Sequence, residues 1–229
     1  MSPADSADGV PLRQNFGAEL QELSMQVEMM GILVDQNLER MLEVLRSGNL
    51  AVADEAIAMD DRIDAINVSL MERCHDLLRR EAPVASDLRL IVSSLRVVGE
   101  FERVGDLALR VVKLAPDFEL LSRIPRAFDI LQTMGHHAVE RYRDALRAWS
   151  AFDLELANQV ATEPPAGIAV SQLIESLLAY DGEDAVVVAL RTMVAGQALD
   201  RIADHAAVLG ARIRYLITGD PDHLAAEVR

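Results

Sequence analysis

The sequence predicts an all-α protein: two pseudo-symmetric three-helix bundles built from six long antiparallel helices. Three observations lead there. First, Phe101-Glu102-Arg103-Val104-Gly105-Asp106-Leu107-Ala108 reappears as Leu199-Asp200-Arg201-Ile202-Ala203-Asp204-His205-Ala206, 98 residues later, which implies two related halves. Second, apolar residues make up 51% of the chain but aromatics only 4%, a balance that favours Leu, Val, Ala and Met packing between helices. Third, apolar positions recur at helical spacing, and no stretch alternates with the period of a strand.

Taken in order, residues 1–14 are polar and carry two prolines and a glycine, so they read as a disordered N-terminal tail. Residues 15–116 form the first bundle. Its first helix starts near Phe16 and runs through Leu20, Leu23, Val27, Met30, Val34, Leu38, Met41 and Leu45 to a stop at Ser47-Gly48-Asn49. Its second helix carries Val52, Ala56, Ile63, Ile66, Leu70 and Leu77 and breaks at Ala82-Pro83; its third spans about Val84 to Ala115, ahead of Pro116. Residues 116–124 link the halves, and 117–218 form the second bundle. Pro125 suits the first turn of the fourth helix, which runs to about Trp149. The fifth begins near Asp153, must kink or split at Pro164-Pro165 with Gly167, and ends at Asp181-Gly182. The sixth runs from about Glu183 to Ile217, and residues 219–229 are a C-terminal tail.

At net charge −15, the chain is expected to repel nucleic acid and anionic lipid and to attract cations or a basic partner. Its single cysteine, Cys74, excludes an internal disulfide framework and suits a reducing, cytoplasmic compartment. Residues 1–15 lack the basic start and apolar run of a signal peptide, and the apolar stretch at Ala185–Leu190 ends at Arg191, far short of the roughly 20 residues that cross a bilayer. Neither a phosphate-cradling G-x-x-x-x-G-K-[ST] nor a G-x-S-x-G elbow occurs, so no catalytic residue is assigned.

The repeat carries its own chemistry. At 100° per residue, Glu102 and Asp106 fall within about 40° of each other, in a sector shared with Leu88, Ile91, Leu95, Val98 and Leu109. Arg89, Arg96, Arg103 and Arg110 mark a different face, read as solvated and, functionally, as a docking face for an acidic partner. Asp200 and Asp204 share their sector with Val186, Ala189, Met193 and Ala207. Carboxylates on an apolar side need cations or hydrogen bonds, because desolvating an unpaired charge costs several kcal/mol. In an antiparallel hairpin between the second and third helices, facing positions sum to about 165. Asp60 and Asp64 then stand opposite Glu102 and Asp106, with Asp61 adjacent, and Asp35 and Glu39 of the first helix fall near the same level. Converging acids without a visible Lys suggest a metal site, and oxygen-only ligands favour Mg, Mn, Ca or Fe, with Zn accessible. In the second half the positions facing Asp200 and Asp204 are Pro164 and Val160; Glu163 is the one acid there, with His136, His137 or Glu140 available from the fourth helix. That site is built differently. Glu72-x-x-His75 has the spacing of ferritin-like iron ligands but has no second copy, so His75 reads as a surface residue. His205 reads as a packing or interface residue beside Asp204, and Cys74 as a small core residue.

These residues carry a resemblance. Pro83-Val84-Ala85-Ser86-Asp87-Leu88-Arg89, the two copies of the repeat, and the Asp60–Asp64 pair with Ile63 resemble the PhoU family, regulators of phosphate uptake, over about residues 16–218. The resemblance implies two three-helix bundles related by a pseudo-twofold axis. It implies metal ions, iron or zinc in some members, at Glu102, Asp106, Asp200 and Asp204, with Asp60 and Asp64 supporting. It also implies a cytoplasmic negative regulator of phosphate-starvation signalling that contacts the phosphate ABC transporter's ATPase and a PhoR-type sensor histidine kinase, without inserting into the membrane. Exposed bundle faces are compatible with a homodimer. A carboxylate-cluster metalloenzyme and a metal-free helical scaffold are the competing readings. The departure from the family pattern is Glu163-Pro164-Pro165-Ala166-Gly167, where further acids are expected.

Overall fold

The computed structural model describes residues 12–80, 83–163 and 167–228. Helix α1 spans Leu12–Ser47, α2 Leu50–Arg80 and α3 Ala85–Val112. A 3-10 turn at Ala115–Asp117 and the single-turn helix α4, Phe118–Leu121, make the link between the halves. Then follow α5 at Pro125–Ala151, α6 at Leu154–Thr162, α7 at Gly167–Leu178, α8 at Ala185–Thr218, and a 3-10 segment at Pro221–Val228. Among the described residues there is no strand.

The helix ends follow from local chemistry. Gly48 takes φ 66° at the end of α1, and Asn49 then caps α2 by accepting from the amides of Ala51 (3.0 Å) and Val52 (3.4 Å). Pro125 occupies the first turn of α5, where its missing N–H costs nothing. Phe152 turns the chain in the left-handed region, and Asp153 Oδ1 caps α6 through the amide of Leu156 at 3.0 Å.

One boundary differs from the sequence reading, and the expected break in the fifth helix is present. Helix α1 reaches back to Leu12, so residues 12–14 of the expected tail are helical, while residues 1–11 lie outside the described residues. The expected fifth helix is two helices, α6 and α7; Pro164 and Pro165 fall between them, outside the described residues. The C-terminal segment packs on α8, and Arg214 Nη2 lies 2.8 Å from His223 Nδ1.

Helices α1, α2 and α3 pack on one another, and α6 and α7 each pack on α5 and α8, which also pack together. The halves meet where α3 crosses α8 and α1 meets α5. The periodic residues of α1, from Leu23 to Leu45, are buried as their spacing requires. One core runs through both halves. Phe101, the first residue of the repeat, meets Tyr142 of α5 edge-on at 5.7 Å, and the Tyr142 hydroxyl donates to the Gly31 carbonyl at 3.0 Å. Full burial drives the Tyr142 phenol well above its ordinary pKa.

Candidate metal centre

Helices α2 and α3 bring Asp60, Asp64, Glu102 and Asp106 together at the register the hairpin predicts. A β-carbon built on Gly105 would lie 3.4 Å from Asp60 Oδ1, so the Asp60 carboxylate rests against the backbone of α3 between Glu102 and Asp106. The small residue in the middle of the repeat gives the carboxylate this room; Ala203 holds the same place in the second copy. Asp60 is only 8% exposed. Burial, then the charges of Asp64 and Asp106, push its pKa up to about 6. Burial, with Asp106 and Asp64 behind it, also raises Glu102.

The acids lie at the margin of the core rather than inside it. Glu102 is half-buried, whereas Asp64, Asp106 and Leu88 are exposed. Lys113, which the sequence reading did not place here, is near enough to Asp60 to oppose the rise in its pKa. Asp35 and Glu39 do not join the cluster. Both pair with Arg143 of α5, at 2.7 Å from Arg143 Nε to Asp35 Oδ1, and Arg143 also holds Glu140 at 3.1 Å. Long side chains on α1 turned towards α5, and an arginine was there to take them.

In the second half, Asp200 is half-buried and Asp204 exposed. Burial and then the Asp204 charge raise the Asp200 pKa, and Asp200 Oδ1 is buried with no hydrogen-bond partner among the described residues. Glu163 is engaged elsewhere: Arg141 Nε lies 3.3 Å from its carboxylate and His137 Nε2 3.0 Å. His136 is exposed, Glu140 belongs to Arg143, and Val160 is buried. Pro164 lies outside the described residues. The second site therefore has two acids where the first has four.

The donor chemistry fits a hard cation. Among the described residues none of Asp60, Asp64, Glu102, Asp106, Asp200 and Asp204 has a Lys, Arg or His within ion-pair distance, in contrast to Asp35, Glu39 and Glu163. Asp60, Glu102 and Asp200 are each partly desolvated, and Asp200 keeps an orphaned oxygen. A divalent ion would relieve both penalties. As the side chains stand, no three His, Cys, Asp or Glu residues among those described close on one point at metal-ligand spacing. Coordination would require rotation of the exposed Asp64 and Asp106 side chains towards Asp60 and Glu102.

Glu100, which the sequence reading passed over, is 8% exposed and joins α3 to α8: its carboxylate lies 2.6 Å from His205 Nδ1 and 2.5 Å from Arg103 Nη1. This gives His205 its interface role. The signal was available in the repeat, since helices that carry twin copies about a pseudo-twofold axis tend to pack against each other. The arginine stripe is also not a plain solvated face, because Arg96 and Arg103 line a cleft against α8. Glu72 and His75 are exposed. Cys74 is fully buried, and burial raises its thiol pKa to about 11.

Comparison with known proteins agrees with this architecture. The family model for the PhoU domain matches residues 27–115. The phosphate-specific transport system accessory protein PhoU homolog of Pseudomonas aeruginosa is 30% identical over 211 residues, covering 91% of this chain and 87% of that protein. The crystal structure of PhoU from Pseudomonas aeruginosa matches with a TM-score of 0.83 at 30% identity, covering 90% of this chain and 100% of that one. The phosphate transport system regulatory protein PhoU from Streptococcus pneumoniae shares the fold, with a TM-score of 0.80 at 24% identity over 90% of this chain and 98% of that one. Twin acidic repeats on α3 and α8, the helical architecture around them and these full-length likenesses place the chain in the PhoU family.

Proposed function

We propose that this protein is an accessory regulator of a phosphate-specific transport system rather than an enzyme. In this reading it is a cytoplasmic negative regulator that contacts the phosphate ABC transporter's ATPase and a PhoR-type sensor histidine kinase, and it works as a homodimer. The observation that carries the reading is the likeness to the Pseudomonas aeruginosa accessory protein over 91% of this chain. No helix among the described residues is long and apolar enough to cross a membrane, so contact with a transporter would run through its non-membrane parts.

The carboxylate pairs are the proposed metal ligands: Asp60, Asp64, Glu102 and Asp106 in the first half, and Asp200 with Asp204 in the second. Iron, zinc, manganese and magnesium are the candidate ions. When bound, the ion supplies positive charge among these acids and ties α2 to α3. The residues themselves supply oxygen donors, and Asp60 holds its carboxylate against Gly105 where the two helices meet.

The test is genetic. Deleting the gene should switch a phosphate-starvation reporter on in phosphate-replete medium, and restoring this chain should switch it off. Normal repression in the deletion strain, in a host with no second copy of the protein, would overturn the reading.

A further inference from the structure

The crossing of α3 and α8 encloses a cleft that the carboxylate pairs do not use. Its volume is about 320 Å³, and Arg96, Glu100, Arg103, His205, Val208 and Arg212 line it. Helix α3 supplies Arg96, Glu100 and Arg103 at spacings of four and three, so they follow one another along one face. Helix α8 supplies His205 and Arg212, two turns apart, on the face that meets them.

Three guanidiniums here share their walls with a single carboxylate. Glu100 lies at 8% exposure, holding Arg103 and His205. Arg96 is exposed and has no carboxylate within ion-pair distance among the described residues. Arg96 and Arg103 against Glu100 leave one positive charge at the mouth of the cleft, inside a chain whose net charge is −15. A concave site with an excess of one sign of charge focuses field and concentrates small counter-ions. The acidic remainder of the chain repels a long polyanion but does little to a small anion already at the mouth of the cleft.

We propose that this cleft binds a small tetrahedral oxyanion of the phosphoryl class, either inorganic phosphate or the phosphate of a phosphomonoester. Guanidinium forks pair with phosphoryl oxygens two bonds at a time, which selects them over chloride. The volume takes a phosphoryl group and several waters, each water needing about 30 Å³. Glu100 fixes Arg103 and His205 in place while Arg96 faces the open side. Because the lining comes from both halves, the anion bridges the two helices that carry the acidic repeat. None of the lining residues is a proposed metal ligand, although the Arg103 charge also acts on neighbouring Glu102.

The experiment is calorimetric titration of the full chain at constant ionic strength, with inorganic phosphate, glycerol phosphate and a phosphoserine peptide as separate titrants. Saturable one-site binding of inorganic phosphate or glycerol phosphate is expected, and the tighter of the two names the source. Arg96→Ala and Arg103→Ala, both at exposed positions, should each weaken it at least tenfold. Arg110→Ala, in the same stripe but outside the cleft, should leave affinity within twofold. Circular dichroism checks that each variant is folded. No saturable binding of either small anion would overturn the proposal, as would equal affinity in wild type and Arg96→Ala. So would binding of the phosphopeptide alone, which would make the face a protein-docking surface.

Discussion

Glu100 of α3 and His205 of α8 meet at 2.6 Å across the junction of the two halves, and the Glu100 carboxylate is almost wholly removed from solvent. The pair is set between the twin copies of the repeat and ties one half to the other. Replacing Glu100 by Ala removes both of its charge-assisted contacts. The expected loss is about 2 kcal/mol, seen as a thermal midpoint lower by about 4–8 °C. A double-mutant cycle with His205→Ala should return a coupling of about 1–2 kcal/mol. Strict additivity would mean that the contact contributes nothing to joining the halves.

Metal content tests the acidic pairs directly. Protein purified without chelator should contain iron, zinc or manganese by elemental analysis. Glu102→Ala combined with Asp106→Ala should abolish most of it, because Asp60 and Asp64 alone offer too few oxygens for a hard ion. Asp200→Ala with Asp204→Ala should remove less, since Glu163 is held by Arg141 and His137. Unchanged metal in the first double variant would place the ion elsewhere.

The raised pKa of Asp60 gives a pH signature in chelator-treated protein. The folded state holds its proton up to about pH 6, whereas an ordinary Asp releases it near 3.8. Folding is therefore unpenalised below about pH 4 and becomes progressively penalised as pH rises through 6. The full penalty is on the order of 2–3 kcal/mol. Asp60→Asn cannot ionise and should escape it. Urea unfolding of the two proteins from pH 4 to pH 8 should show the variant gaining over wild type by that amount across the interval. A constant difference would mean that Asp60 is solvated and uncoupled from Asp64 and Asp106.

The fold and the juxtaposition of the first-half acids were legible because both are periodic. Helical spacing gives the buried stripe of α1, and a short hairpin connection gives the register that sets Asp60 opposite Gly105. What escaped depends on how long side chains choose partners across helices that are distant in sequence. Arg143 took Asp35 and Glu39 away from the cluster, and Lys113 entered its field. Glu100 lies off the sector of Glu102 and Asp106, so a single helical wheel gives it no partner until α8 is laid across α3. The division of the fifth helix was legible from its prolines, because a ring without an N–H cannot continue the ladder.

Close approach of α8 to α6 makes a sharp steric test. A β-carbon on Gly210 would stand 2.9 Å from the Ala157 carbonyl oxygen and 2.9 Å from the Ala161 nitrogen, backbone atoms that can yield only if α6 moves. Gly99, in α3, has nothing within 4 Å of its β-carbon position. The two substitutions by Ala should therefore have opposite signs. Gly99→Ala gains helix propensity and should stabilise by about 0.5–1 kcal/mol. Gly210→Ala gains the same propensity but forces the helices apart, for a net loss of about 1–3 kcal/mol. Hydrogen exchange should locate that loss in α6, whose amides would exchange faster while those of α2 keep their protection. Equal stabilisation by both variants would mean that α6 does not seat on α8 at Gly210.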